Sequence, residues 1–190
     1  MLAWIPFIII SLLFIVLLYA CAKSAGSNLQ RVKQLSLIGF LWVLTAFCYT
    51  PTSYNFGTQL VLHYIQWGPV KLNIIPFQQL SIEFWLNVLL TVPLGGLIAW
   101  NFMDLPWRRF IWLGFLTGLT LELGQFVLDW LVNIDRWVDI DDLITNWVGF
   151  IIGAIGYKIA KRLPGLQWLQ RWPINDVYIE ATIHQTKYEA

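Results

Sequence analysis

Charge is what this 190-residue chain has least of: Asp, Glu, Lys and Arg make up 12% of it, against roughly 25% in an ordinary soluble domain. That shortage excludes water as its main solvent. The net charge is +1 and no basic run occurs, so the electrostatic footprint of a nucleic-acid binder is missing and nucleic acid is dropped as a partner. Cysteine and histidine number two each, which leaves no CxxC and no HExxH, and neither a P-loop nor GxSxG is found. No standard nucleophile or zinc motif is therefore visible. Internal repeats are absent too, which weighs against a transporter built from paired halves.

What is present is apolar. Hydrophobic residues make up 58% of the chain and the mean hydropathy is +0.63. Uncharged stretches of about 20 residues match the length that crosses roughly 30 Å of hydrocarbon. They predict an all-α integral membrane protein, a bundle of about five transmembrane helices: Met1–Ala22, about Leu35–Tyr49, Phe84–Met103, about Phe110–Val132, and about Asp142–Ala160. Pro51 and Asn55 in TPTSYN mark a turn after the second span. Pro93 and the Gly95-Gly96 pair fall inside the third, where membrane helices tolerate them. The twelve tryptophans suit aromatic belts at the membrane surfaces. The chain divides into a first helix and loop (1–34), the main bundle (35–162), and an interfacial segment, LQWLQRWP, with a polar tail (163–190).

Loop charge sets the orientation. With the amino terminus outside and the carboxy terminus cytoplasmic, ten basic residues lie inside: Lys23, Arg31, Lys33, Arg108, Arg109, Lys158, Lys161, Arg162, Arg171 and Lys187. Only Lys71 and Arg136 remain outside, among the acidic Glu83, Asp129, Asp135, Asp139, Asp141 and Asp142. Leu18-Tyr19-Ala20-Cys21 loosely matches a lipoprotein processing site, but no basic residue precedes the apolar run and an outside Cys21 would invert every later loop. Cys21 and Cys48 then lie at opposite faces, too far apart for a disulfide. His63 and His184 are likewise separated.

The polar residues in and beside the spans follow helical spacing. Asp139 and Asp142 have the three-residue spacing of a capping arrangement at a helix start, where carboxylates also suit the dipole. Asp142, Asn146, Gly149 and Gly153 share one face of the fifth helix, the last two as a GxxxG pair that admits a neighbouring helix. Gly114, Gly118, Glu122, Gln125 and Asp129 follow the same rule on the fourth, and Asn87 lies one turn inside the third. A carboxyl within a span costs about 2.5 to 3.5 kcal/mol on insertion scales and marks a site by default. Glu122 is the clearest case. Glu122 either pairs with Gln125, Asn87 or Asn146 to hold the bundle, or lines an outward-open polar pocket. Carboxylates without basic partners suit a divalent cation such as Mg²⁺ or Ca²⁺, with Asp139, Asp141 and Asp142 as candidate ligands. They also suit a carboxyl whose raised pKa makes it a general acid.

In order along the chain, LNIIPF (72–77), NVLLTVPLG (87–95), ELGQ (122–125) and RWVDIDDLITNWVGFIIG (136–153) resemble the motifs of VanZ-like membrane proteins over about Leu72 to Ala160. The resemblance implies a multi-pass protein of the bacterial plasma membrane, in the Gram-positive cell envelope, with a part in low-level teicoplanin resistance. It carries the family's polar positions onto Asn73, Pro76, Phe77, Asn87, Pro93, Glu122, Gln125, Arg136, Asp139, Asp141, Asp142, Asn146 and Gly149. Beside the bilayer, the expected partners are a lipid-linked wall component or a lipoglycopeptide, held in a ligand pocket of Asn73, Asn87, Glu122, Gln125, Arg136 and Asn146. The alternatives are an intramembrane enzyme acting on a lipid or wall precursor, with Glu122 as acid or base, and a small transporter working as a homo-oligomer through its glycine faces.

Overall fold

The computed structural model describes residues 2–51, 63–78, 80, 82–103 and 105–166. The turn expected at Asn55 and the segment from residue 167 onward lie outside the described residues. Five helices long and apolar enough to cross a membrane carry the fold: α1 Ile5–Lys23, preceded by a short 3₁₀ turn, α2 Asn28–Tyr49, α3 Ile82–Asn101, α4 Trp107–Val132 and α5 Ile140–Ala160.

Capping explains where the helices depart from the expected spans. α2 begins at Asn28 rather than Leu35, because Ser27 caps it: its Oγ accepts from the Gln30 amide at 3.2 Å. α4 begins behind Pro106 and so takes Arg108 and Arg109 into its first turn. α5 opens at Ile140, capped by Asp139, whose carboxylate accepts from the Asp141 amide at 2.8 Å. Asp142, expected as the second half of that cap, bonds Asn87 on α3 instead.

The expectation of an all-α protein needs correcting. Three short strands form a sheet at one end of the bundle: β1 Ile65–Trp67, β2 Val70–Asn73 and β3 Trp137–Asp139. β1 and β2 make a hairpin, with Trp67 opposite Val70 across a two-residue turn. Gly68 at its first position has φ 59°, the positive-φ place that such turns give to glycine. β3 adds in parallel to β2, pairing Lys71 with Trp137 and Asn73 with Asp139. The sheet ties the segment before α3 to the link between α4 and α5. It defines a sheet end of the bundle; the opposite end, where Lys23, Arg31, Lys33, Arg108, Arg109, Lys158, Lys161 and Arg162 gather, is the basic end.

α5 is the central helix, packed between α3 and α4. Its contact with α3 is backbone against backbone: a Cβ on Gly149 would run into the Val88 carbonyl oxygen and Thr91 Oγ1, and one on Gly153 into the Val92 carbonyl oxygen. The reverse contact has Gly95 of α3 against the Phe150 carbonyl oxygen. The GxxxG face is thus used within the chain, not between chains, so it cannot serve as the surface on which an oligomer was expected to form. Leu44, Leu94, Leu121, Phe150 and Ala154 close the core around these crossings. α1 buries none of its residues and leans on α2, through Trp42 Nε1 donating to Ser11 Oγ at 3.0 Å and Cys21 Sγ to Gln34 Oε1 at 3.5 Å. Cys21 near the basic end and Cys48 near the sheet end are both free thiols.

Candidate functional site

The sheet end gathers most of the polar side chains that helical spacing singled out. The fourth and fifth helices meet where Gly118 faces the Leu143 carbonyl oxygen. One turn nearer the sheet end, Glu122 Oε2 accepts from the Asp139 amide at 2.9 Å, which seats a carboxylate of α4 at the start of α5. Asp139 Oδ1 in turn accepts from Asn73 Nδ2 at 2.9 Å across the β2–β3 pairing. Burial pushes the Asp139 carboxyl up from the usual range, opposed by those bonds from Asn73 and the Asp141 amide.

A loop closes over this arrangement. Phe77 donates its amide to both carboxylate oxygens of Asp141, at 2.8 and 3.0 Å. Phe77 takes φ 60°, a strained place for a bulky residue, so the bond to Asp141 helps fix the turn. Asn73 Oδ1 accepts from the Ile75 amide at 3.1 Å and from Gln78 Nε2, while Gln78 also bridges to His63. Deeper, Asn87 Nδ2 donates to Asp142 Oδ1, and Thr91 and Thr145 turn their hydroxyls onto carbonyls of their own helices.

The predicted site residues therefore separate. Asn73 and Glu122 join one hydrogen-bonded network with Asp139 and Asp141, and Asn87 pairs separately with Asp142. Asn146 is 4% exposed and its Oδ1 finds no partner. Gln125 donates Nε2 to the Cys48 carbonyl at 3.3 Å and leaves its Oε1 buried without a partner. Arg136 turns away: Nε and Nη2 donate to the Thr50 and Phe47 carbonyls at 3.3 and 2.8 Å, satisfying the end of α2. Asp139, Asp141 and Asp142 each have a different partner, and among the described residues no three His, Cys, Asp or Glu side chains are grouped to hold a metal ion.

The open cavities lie beside this network rather than in it. One of about 320 Å³ is lined by Trp67, Phe126, Val127, Trp130 and Leu131, and one of about 130 Å³ by His63, Tyr64, Ile65, Leu72, Ile74 and Ile75. Neither includes Glu122. The outward-open polar pocket expected around that residue is not one of them. Gln78 and the sheet were missed; the strand–Gly-Pro–strand pattern of YIQWGPVKLN, with apolar residues alternating on either side of the turn, was the signal that pointed to them.

A family model described as VanZ/LLP1 matches residues 7–161. The chain belongs to that family. The VanZ/LLP1 match takes in α1 and α2 as well as the motif-bearing stretch, although α1 is mostly apolar, buries none of its residues and carries no motif. The motifs that resembled VanZ-like proteins are the ones that build the sheet-end network and the α3–α5 crossing. Comparison with curated proteins and with solved structures gives no match.

Proposed function

We propose that this VanZ/LLP1 protein is a non-enzymatic, multi-pass protein of the bacterial plasma membrane, with its sheet end outside, that binds an amphiphile there. The ligand is a lipid-linked cell-wall component or an acylated glycopeptide such as teicoplanin, and binding it reduces drug access to its target. The gathering of basic residues at the opposite end supports the orientation. One observation carries the binding reading: an aromatic-lined cavity of about 320 Å³ opens at the sheet end, between Trp67 of β1 and Phe126, Val127, Trp130 and Leu131 of α4. An acyl chain fits such a cavity.

The test uses the purified protein in nanodiscs with fluorescent teicoplanin and, as the ligand lacking the acyl chain, vancomycin. Saturable binding of teicoplanin alone, weakened in Trp130→Ala, is the expected result. Equal or absent binding of the two, in a protein that still protects cells, contradicts the reading.

One observation favours an enzyme instead. Glu122 is 4% exposed, inside a span and at the start of α5, with no basic side chain paired to it among the described residues. Such a carboxyl is placed to act as acid or base. A lipid or wall-precursor profile that changes on expression, and reverts in Glu122→Gln, would select this reading.

A further inference from the structure

We infer that Glu122, Asp142 and Asn146 hold a hard divalent cation between α3, α4 and α5. This ligand set keeps only Asp142 of the DIDD aspartates that the sequence put forward.

The warrant is a surplus of acceptors. Glu122 uses Oε2 on the Asp139 amide and Asp142 uses Oδ1 on Asn87, which leaves Glu122 Oε1 and Asp142 Oδ2 for a ligand. One turn along α5 from Asp142 stands a buried amide oxygen that accepts nothing, Asn146 Oδ1, on a residue 4% exposed. Leaving a buried acceptor unsatisfied costs about 1 to 3 kcal/mol, so one in line with two carboxylates calls for an occupant.

Position brings these atoms together. Asn146 lies on α5 between Asp142, which bonds Asn87, and Gly149, which meets Val88, so all three face the same stretch of α3. Glu122 reaches the same helix start from α4 through the Asp139 amide. Arg136, the basic side chain nearest in sequence, is directed to the carbonyls that end α2.

The chemistry selects the occupant. A water molecule donates only two hydrogens, too few for three acceptors. A metal cation satisfies all of them at once. Carboxylate and amide oxygens are the ligands of hard cations, and two carboxylates balance a divalent charge. The site stands whether or not the apolar cavity takes an acyl chain.

The experiment uses the full chain in nanodiscs, washed with EDTA, and reads Tb³⁺ luminescence sensitised by tryptophan, with Ca²⁺, Mg²⁺ and Na⁺ as competitors. Saturable binding displaced by Ca²⁺ or Mg²⁺ but not by equal Na⁺ is expected. Asn146→Leu should weaken it at least about tenfold, and Asp135→Asn, an exposed acid at the same end, should leave it unchanged. If Asn146→Leu does not fold, Asn146→Asp serves, and its added charge should tighten binding. Absence of a saturable signal overturns the inference, as does equal affinity in both Asn146 variants and the wild type. A protein that responds to lowered pH but to no metal ion overturns it too, since a proton then fills the site.

Discussion

The two ends of the bundle handle charge in opposite ways. At the basic end, cations rest on aromatic faces: Lys158 Nζ is 4.0 Å from the centre of the Trp107 ring and 4.5 Å from that of Phe110, and Lys23 Nζ is 5.8 Å from that of Tyr19. Such contacts let long side chains cover apolar surface while the charge stays near the headgroups. At the sheet end, short carboxylates are fixed by backbone amides and by Asn73 and Asn87, each in one position. Flexible cations make a belt that tolerates change. Short carboxylates held in place make a site whose parts depend on one another, and that is why function is assigned to the sheet end.

The comparison breaks first at the seam joining the two ends. Gly153→Leu places a side chain where the Val92 carbonyl oxygen lies, so little folded protein should survive size-exclusion chromatography in mild detergent. Asp139→Ala should come next. It removes the α5 cap, about 0.5 to 2 kcal/mol, and strands the buried Asn73 amide, about 1 to 3 kcal/mol more; thermal unfolding followed by tryptophan fluorescence should show a clear fall in Tm. Lys158→Ala at the basic end should cost only about 0.5 to 1 kcal/mol, the worth of an exposed cation–aromatic contact. A loss equal to that of Asp139→Ala would erase the distinction between the ends. Smallest is Lys71→Ala, which breaks a 2.9 Å ion pair to an exposed Asp135 and should move the same unfolding curve hardly at all.

How much of this was legible in the sequence follows from what each element depends on. Hydrophobic length alone reveals a helix that must cross hydrocarbon, so all five spans could be read, with their starts displaced by Ser27, Pro106 and Asp139. Helical phase likewise brought Asn87, Glu122 and Asp142 into one region. It failed for Arg136, whose partners are carbonyls at the end of a helix far earlier in the chain, and backbone acceptors leave no mark on side-chain spacing. It failed also for the role of the loop at Phe77, where the donor is an amide. The sheet escaped because three-residue and four-residue strands give too short a pattern beside long apolar runs. GxxxG spacing announced a close helix contact but not its partner, which is α3 of the same chain.

The most direct test of the functional assignment expresses the wild type, Glu122→Gln, Asp141→Asn/Asp142→Asn and Lys158→Ala at matched membrane levels in a susceptible Gram-positive host. Inhibitory concentrations of teicoplanin and vancomycin are then measured side by side. Teicoplanin-selective protection by the wild type and Lys158→Ala, lost in both sheet-end variants, is the result predicted. Protection that survives both sheet-end variants would reduce the carboxylates to helix caps and bundle structure and would contradict the assignment.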